Sequence, residues 1–218
     1  MKLYGSLASP YVARVVLFSR LKGFDLEPQM PEGGIKSAAY LAMNPMGKMP
    51  LLEADGLAIP ESEVICEYLE DLRPGQGGLG GSPEARARAR LISRIQDLYV
   101  GPNATTLIRN LNPAKRDAAA VATATAGIET GFGYLEHFVT ADPYAAGPSP
   151  GLADCALLPA FVVLRKAVCP TFGMVDPTSG TGALGRWWKT VSSDAVTAAF
   201  AEQYAVAVDG FMKMMAGR

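Results

Sequence analysis

Histidine is almost missing from this chain of 218 residues: His137 is the only one. A metal site built from several imidazoles is therefore excluded. A Ser-His-Asp triad would have to use His137, and no GxSxG elbow accompanies it. Cys66, Cys155 and Cys169 are odd in number, lie in apolar settings and lack CxxC spacing, which argues against a disulfide framework or a zinc site. They read as buried thiols, and no metal is expected. An excess of either charge is lacking too: 20 Lys and Arg against 21 Asp and Glu leave a formal net charge of -1. No global field would hold a polyanion or an acidic membrane, so nucleic acid is not an expected partner. No run approaches the roughly 20 apolar residues of a membrane span, and the opening Met1-Lys2-Leu3-Tyr4-Gly5 is too short in apolar residues for a signal peptide. The expectation is a cytoplasmic protein that is not bound to membranes.

What is present is a composition of 49% hydrophobic and 19% charged residues, that of a folded soluble protein long enough for one large domain or two small ones. Residues 1–30 read strand, turn, helix, strand. A first strand ends near Tyr4, and a helix runs from about Pro10 to Lys22. Gly23 closes it, and Phe24-Asp25-Leu26-Glu27-Pro28 alternates as an extended segment does. A short helical stretch from Ser37 to Met43 follows. Then Asn44-Pro45-Met46-Gly47-Lys48-Met49-Pro50 brackets a turn feeding a strand, and Asp55-Gly56 predicts a hairpin to Leu57-Ala58-Ile59. Ser62 is a candidate N-cap for a helix whose face is Val64, Ile65, Tyr68, Leu69 and Leu72.

The Gly- and Pro-rich stretch from Arg73 to Pro83 continues no regular element, because glycine is entropically costly there and proline lacks a donor. Everything beyond it reads as helical, broken at Gly101-Pro102, Asn112-Pro113, Asp142-Pro143 and Gly147-Pro148, and predicts five or six helices. The expected organisation is residues 1–76 as an α/β domain, 77–83 as a linker and 84–218 as an all-helical domain.

Ser9 stands directly before Pro10 at the predicted start of the first helix. Its hydroxyl is placed either to cap an orphan amide or to act at a reactive site, and local sequence leaves both open.

Four motifs in order, Ser9-Pro10-Tyr11-Val12, Asn44-Pro45-Met46-Gly47-Lys48-Met49-Pro50, Glu61-Ser62, and Leu152-Ala153-Asp154 with Leu157, resemble those of the cytosolic glutathione transferases, in particular bacterial members of serine type. The resemblance implies a thioredoxin-like N-terminal domain followed by an all-helical one, a homodimer, and glutathione as co-substrate. It implies a reaction in which the glutathione thiolate, the reactive nucleophile, is stabilised and added to small hydrophobic electrophiles. Ser9, whose own pKa is far too high for its hydroxyl to deprotonate a thiol, would donate a hydrogen bond to the sulfur, helped by the positive end of the helix starting at Pro10.

Met49 would precede a cis Pro50, turning its backbone outward to pair with the cysteinyl part of glutathione like an added strand. Ser62 would take the γ-glutamyl carboxylate at a helix N-terminus, with Glu61 facing the ammonium. Lys48 is assigned to the glycyl carboxylate or a backbone carbonyl. The electrophile pocket would draw on Leu7, Tyr11, Leu98, Tyr99 and Phe161. An acidic residue near Asp97 can approach the partner subunit's glutathione in this family. Arg86, Arg90 and Arg94 share a face that reads either as solvated or as bordering the cleft or a subunit interface.

One position departs from the pattern: Gly151 stands where the family places Ser or Thr three residues before the Asp. Rival readings are glutathione-dependent isomerisation, ether cleavage or peroxide reduction on the same fold. A non-catalytic dimerisation module is another, and a thiol-disulfide oxidoreductase would require a reactive Cys66.

Overall fold

The structure, a computed structural model, describes residues 1–75 and 77–216. Gln76, at the expected domain boundary, lies outside the described residues. Strand β1 (Lys2–Tyr4) leads through a tight loop into α1 (Pro10–Leu21), then β2 (Pro28–Gln29), α2 (Ala38–Met43), β3 (Leu51–Ala54), β4 (Leu57–Pro60) and α3 (Ser62–Leu72). The four strands form one sheet in the order β2-β1-β3-β4, with β1 parallel to β2 and antiparallel to β3, and β3 antiparallel to β4.

The period of two sends neighbouring side chains to opposite faces. Leu3 and its partner Leu52 face α1 and α3, joining Val12, Val16, Ile65 and Leu69 in the main core. Tyr4 and its partner Leu51 face the other way, where Tyr40 of α2 covers them. The β3–β4 hairpin turns on Asp55 and Gly56, with φ of 50° and 81°, the two left-handed residues that the Asp-Gly signal calls for. The second strand is shorter than its sequence suggests. Phe24 donates its N–H back to Ser19 and lies under the Arg73 guanidinium at 3.9 Å, so the extended pairing begins only at Pro28.

The helical part comprises α4 (Pro83–Ile95), α5 (Gly101–Arg109), α6 (Ala118–Phe138), α7 (Leu152–Val163), α8 (Cys169–Phe172), α9 (Ala183–Val191) and α10 (Ala195–Ala216). The break expected at Gly101-Pro102 is not a break. A π-helical turn, Gln96–Val100, joins α4 to α5 in one rod, and the widened ladder places Pro102 in the first turn of α5, where its missing N–H costs little. A second π turn, Leu164–Val168, joins α7 to α8. The described residues thus hold five continuous helical rods after the linker, and the core runs unbroken from Leu3 to Leu157 and Phe161 because α1 packs directly on α7.

Gly151 has a physical reason. A β-carbon there would run into the Gly78 carbonyl oxygen of the linker, which accepts from Leu152 N–H at 3.0 Å. The buried Asp154 supplies the cap from the other end, accepting from Gly151 N–H at 2.9 Å, Ala145 N–H at 3.0 Å and Trp187 Nε1–H at 2.8 Å. Burial nevertheless outweighs these donors and raises its pKa above the ordinary aspartate value.

Candidate active site

Ser9 occupies the N-cap position of α1, yet its side chain makes no cap hydrogen bond. Its backbone does the local work: Ser9 N–H donates to Ser6 O at 3.0 Å and its carbonyl accepts from Ala13 N–H at 2.9 Å. The loop is held from the side as well, since Ser6 N–H donates to Met49 Sδ at 3.3 Å. The hydroxyl is half-buried at the positive end of α1 and not used by the cap.

The segment opposite is clamped from below. Tyr40 Oη–H and Asn44 Nδ2–H both donate to the Lys48 carbonyl, at 2.6 and 2.9 Å, leaving the Lys48 side chain exposed. The Met49–Pro50 peptide is cis. Neither the N–H nor the carbonyl of Met49 is hydrogen-bonded within the described residues. Facing them, Glu61 sits between β4 and α3 with φ of 69°, a conformation that side chains other than glycine rarely adopt and that tends to mark ligand sites. The N-cap expected at Ser62 is therefore one residue early, at Glu61. Ser62 is the first helical residue, 5% exposed, and its hydroxyl oxygen accepts from Arg14 Nη1 at 3.2 Å.

Lys48, Met49, Pro50, Glu61 and Ser62 are thus brought to the walls of one cleft of about 570 Å³, within the size range of small-molecule sites. Arg94, Asp97 and Leu98 close it from the helical side. Ser9 is not on its wall, but Tyr11, two residues on, is.

Asp97 is placed by Arg14, which lies in the middle of α1 and is only 2% exposed. Arg14 donates Nη1 to Asp97 Oδ2 at 2.8 Å and Nη2 to Oδ1 at 2.5 Å, a bidentate pair joining the α/β part to the helical part. Burial opposes the Arg14 charge, but the Asp97 carboxylate more than offsets it and holds the guanidinium above its ordinary pKa. Arg14 escaped the reading of the sequence. The available signal was an arginine inside the apolar run Val12-Ala13-Arg14-Val15-Val16, a charge that burial obliges to find partners.

On the arginine face of α4, Arg94 is exposed beside the cleft, whereas Arg86 and Arg90 reach carboxylates of α3. Arg90 forks onto Glu67 at 2.6 and 2.9 Å, Arg86 reaches Glu70 at 3.4 Å, and Ser93 Oγ donates to Glu63 at 2.8 Å, all on α3.

Tyr11 also walls a second hollow, of about 40 Å³, between α1, the π turn, α5 and α7. Its phenol pKa is raised, first by burial and then by Asp97. Gly101 makes room for it, because a β-carbon there would lie 2.8 Å from the Tyr11 hydroxyl. Of the expected electrophile-pocket residues, Tyr11 lines both cavities and Leu98 lines the cleft. Leu7 lines neither. Tyr99 turns outward against Tyr134, edge to face at 5.1 Å, because the π turn rotates it off the site. Phe161 is a core residue, stacked on Phe132 at 5.7 Å and edge-on to Trp187 at 5.5 Å. Cys66 is buried in α3, and burial pushes its thiol pKa far up, so it offers no thiolate.

This arrangement, a four-stranded mixed sheet with its helices followed by a helical region, is that of a thioredoxin-like domain joined to an all-helical one. Residues 3–77 match the family model for the glutathione S-transferase N-terminal domain. The chain is 32% identical over 198 residues to a probable glutathione S-transferase of Oryza sativa subsp. japonica, covering 86% of this chain and 82% of that one. It is 32% identical over 166 residues to the maleylacetoacetate isomerase of Rattus norvegicus, covering 72% and 74%. Glutathione transferase F2 of Populus trichocarpa shares the fold, with a TM-score of 0.77 at 23% identity over 93% of this chain and 98% of that one. The chain belongs to the glutathione S-transferase family.

Proposed function

We propose that the cleft binds glutathione extended between Met49 and the start of α3, and that the protein adds its thiolate to small hydrophobic electrophiles. The observation that carries this reading is the cluster at the start of α3. The Ser62 hydroxyl at a helix N-terminus, the strained Glu61 and the unpaired Met49 backbone line one cleft with the Lys48 cation. A helix N-terminus favours the γ-glutamyl carboxylate, and unpaired backbone favours an added strand. Ser9, its hydroxyl not used by the cap, is assigned to stabilise the thiolate from the end of α1. The electrophile is assigned to the far side of Tyr11, against Ala104, Ile108, Ala160 and Val163. A homodimer is assigned to the face where Val64, Leu91 and Leu98 are exposed, and the location to the cytoplasm.

Ser9→Ala tests this. Turnover of an activated aryl halide falls about 10²-fold while glutathione affinity holds, the split expected of a group that acts on the sulfur. Glutathione at about 100 times its Kd stabilises wild type by about 2.7 kcal/mol in a thermal-shift titration. Unchanged turnover in Ser9→Ala returns the serine to a positional role, and no thermal shift at millimolar glutathione leaves a dimerisation module as the better reading. Glutathione-dependent isomerisation is the second reading, favoured by the similarity to a maleylacetoacetate isomerase.

A further inference from the structure

Strands β1 and β3 pair Lys2 with Glu53, Leu3 with Leu52 and Tyr4 with Leu51, and the same register carried two residues further sets Ser6 opposite Met49. The ladder stops short of that pair, where Pro50 has no N–H to give. Ser6 N–H is met instead by the Met49 side chain. It donates to Met49 Sδ at 3.3 Å and has no other partner among the described residues. A thioether on an unbranched chain is a weak, polarisable acceptor, so Met49 reaches the amide without using its own backbone. That backbone, on a residue that lines the cleft, stays unpaired among the described residues.

Ser6 also begins the turn that presents Ser9: its carbonyl accepts from Ser9 N–H at 3.0 Å. The far side of the turn is tied to α10, where the buried Tyr204 Oη–H donates to Ala8 O at 3.5 Å. Of the two side chains that hold this turn, Met49 lines the cleft and Tyr204 does not.

We propose that the Met49 thioether is a positioning group for Ser9, linking the segment that pairs with glutathione to the turn that carries the hydroxyl. This rests on the transferase reading above. A hydrogen bond to a developing thiolate is worth most when its donor is held in place before the charge forms. By accepting from Ser6, Met49 Sδ fixes the start of the turn, and it leaves the Met49 N–H and carbonyl to the peptide. Leucine is close to methionine in volume and offers no acceptor, so it fills the space and frees the Ser6 amide.

The test titrates the thiolate of bound glutathione by its ultraviolet absorbance across pH in wild type, Met49→Leu, Met49→Gln, Ser9→Ala and the double variant Ser9→Ala/Met49→Leu. KM for glutathione and kcat with chlorodinitrobenzene are measured on the same preparations. Met49→Leu moves the midpoint up by about half a pH unit and lowers kcat about 3-fold below that midpoint, the scale of one weakened hydrogen bond. KM for glutathione stays within about 2-fold, because the backbone that meets the peptide is unchanged. Met49→Gln, which restores an acceptor on a chain of similar length, recovers most of the loss. In the Ser9→Ala background, Met49→Leu adds less than about 1.5-fold, since residues acting through one group are not additive.

A Met49→Leu midpoint equal to that of wild type, or the same loss with and without Ser9, overturns the assignment while the transferase reading stands. No thiolate signal and no turnover in wild type at millimolar glutathione overturns the transferase reading and this assignment with it.

Discussion

Two buried cations belong to α1, one within the helix and one at its C-terminal cap, and the structure completes the second and leaves the first open. Lys22, just past the C-terminus of α1 and wholly buried, donates Nζ to Glu70 Oε2 at 2.9 Å. Arg86 of α4 approaches the other oxygen at 3.4 Å. Gly78 lies so close to Glu70 that a β-carbon would meet the carboxylate, which seals that end under the linker. Arg14, one turn into α1, is also buried and is tied to a carboxylate across the domain seam, but its buried Nε has no partner. Both clusters fasten the same two layers. A closed network can only hold, whereas an open one also has bonding capacity to offer a ligand, and the open one is at the cleft.

The contrast is broken most forcefully at its closed end. Lys22→Met leaves Glu70 buried against Arg86 alone and lowers stability by about 3–5 kcal/mol, the cost of stranding a buried charge. Urea denaturation measures it, and the folded fraction keeps wild-type KM for glutathione. Asp97→Asn does the reverse. It weakens the fork on Arg14 at a group that borders the cleft, so kcat/KM falls about 10-fold, or about 1.4 kcal/mol. Most of that loss appears in KM for glutathione, and the melting temperature drops by less than in Lys22→Met. If both variants lose stability and activity in parallel, the division between the two clusters fails.

A smaller loss of stability than that of Lys22→Met belongs to a third buried charge. Asp154→Asn keeps the shape but replaces an oxygen that accepts from the Gly151 or Ala145 amide with a donor, costing about 1–3 kcal/mol. The raised pKa of Asp154 means that the folded state holds its proton longer than the unfolded state does. Its contribution is therefore complete below pH 3.8 and declines as pH rises through the folded value. The penalty of Asp154→Asn is then largest at acid pH and shrinks toward neutrality, which melting temperatures measured across pH will reveal.

Local chemistry made much of this molecule legible from its sequence. Asp55-Gly56 specifies a hairpin because two left-handed residues are needed in a row, and the alternation around Leu3 and Leu51-Leu52 sets which side chains face which layer. The α/β-then-helical order was also readable, and Lys48, Met49, Pro50, Glu61 and Ser62, each in a short motif whose backbone conformation is set by its own residues, line one cleft. Where partners come from distant segments, the sequence was silent or misleading. Gly101-Pro102 reads as a stop, but a π turn upstream carries the helix through it. Phe161 and Tyr99 read as pocket aromatics, but helix rotation sends one to the core and the other to the surface. Only tertiary packing pairs Arg14 with Asp97, makes Gly101 the clearance for Tyr11, and leaves Arg14 Nε and Gln96 Oε1 buried without partners. A sequence determines which backbone conformations are cheap at each position, whereas the partner of a buried charge depends on what tertiary packing brings within hydrogen-bond reach, a distance no local pattern encodes.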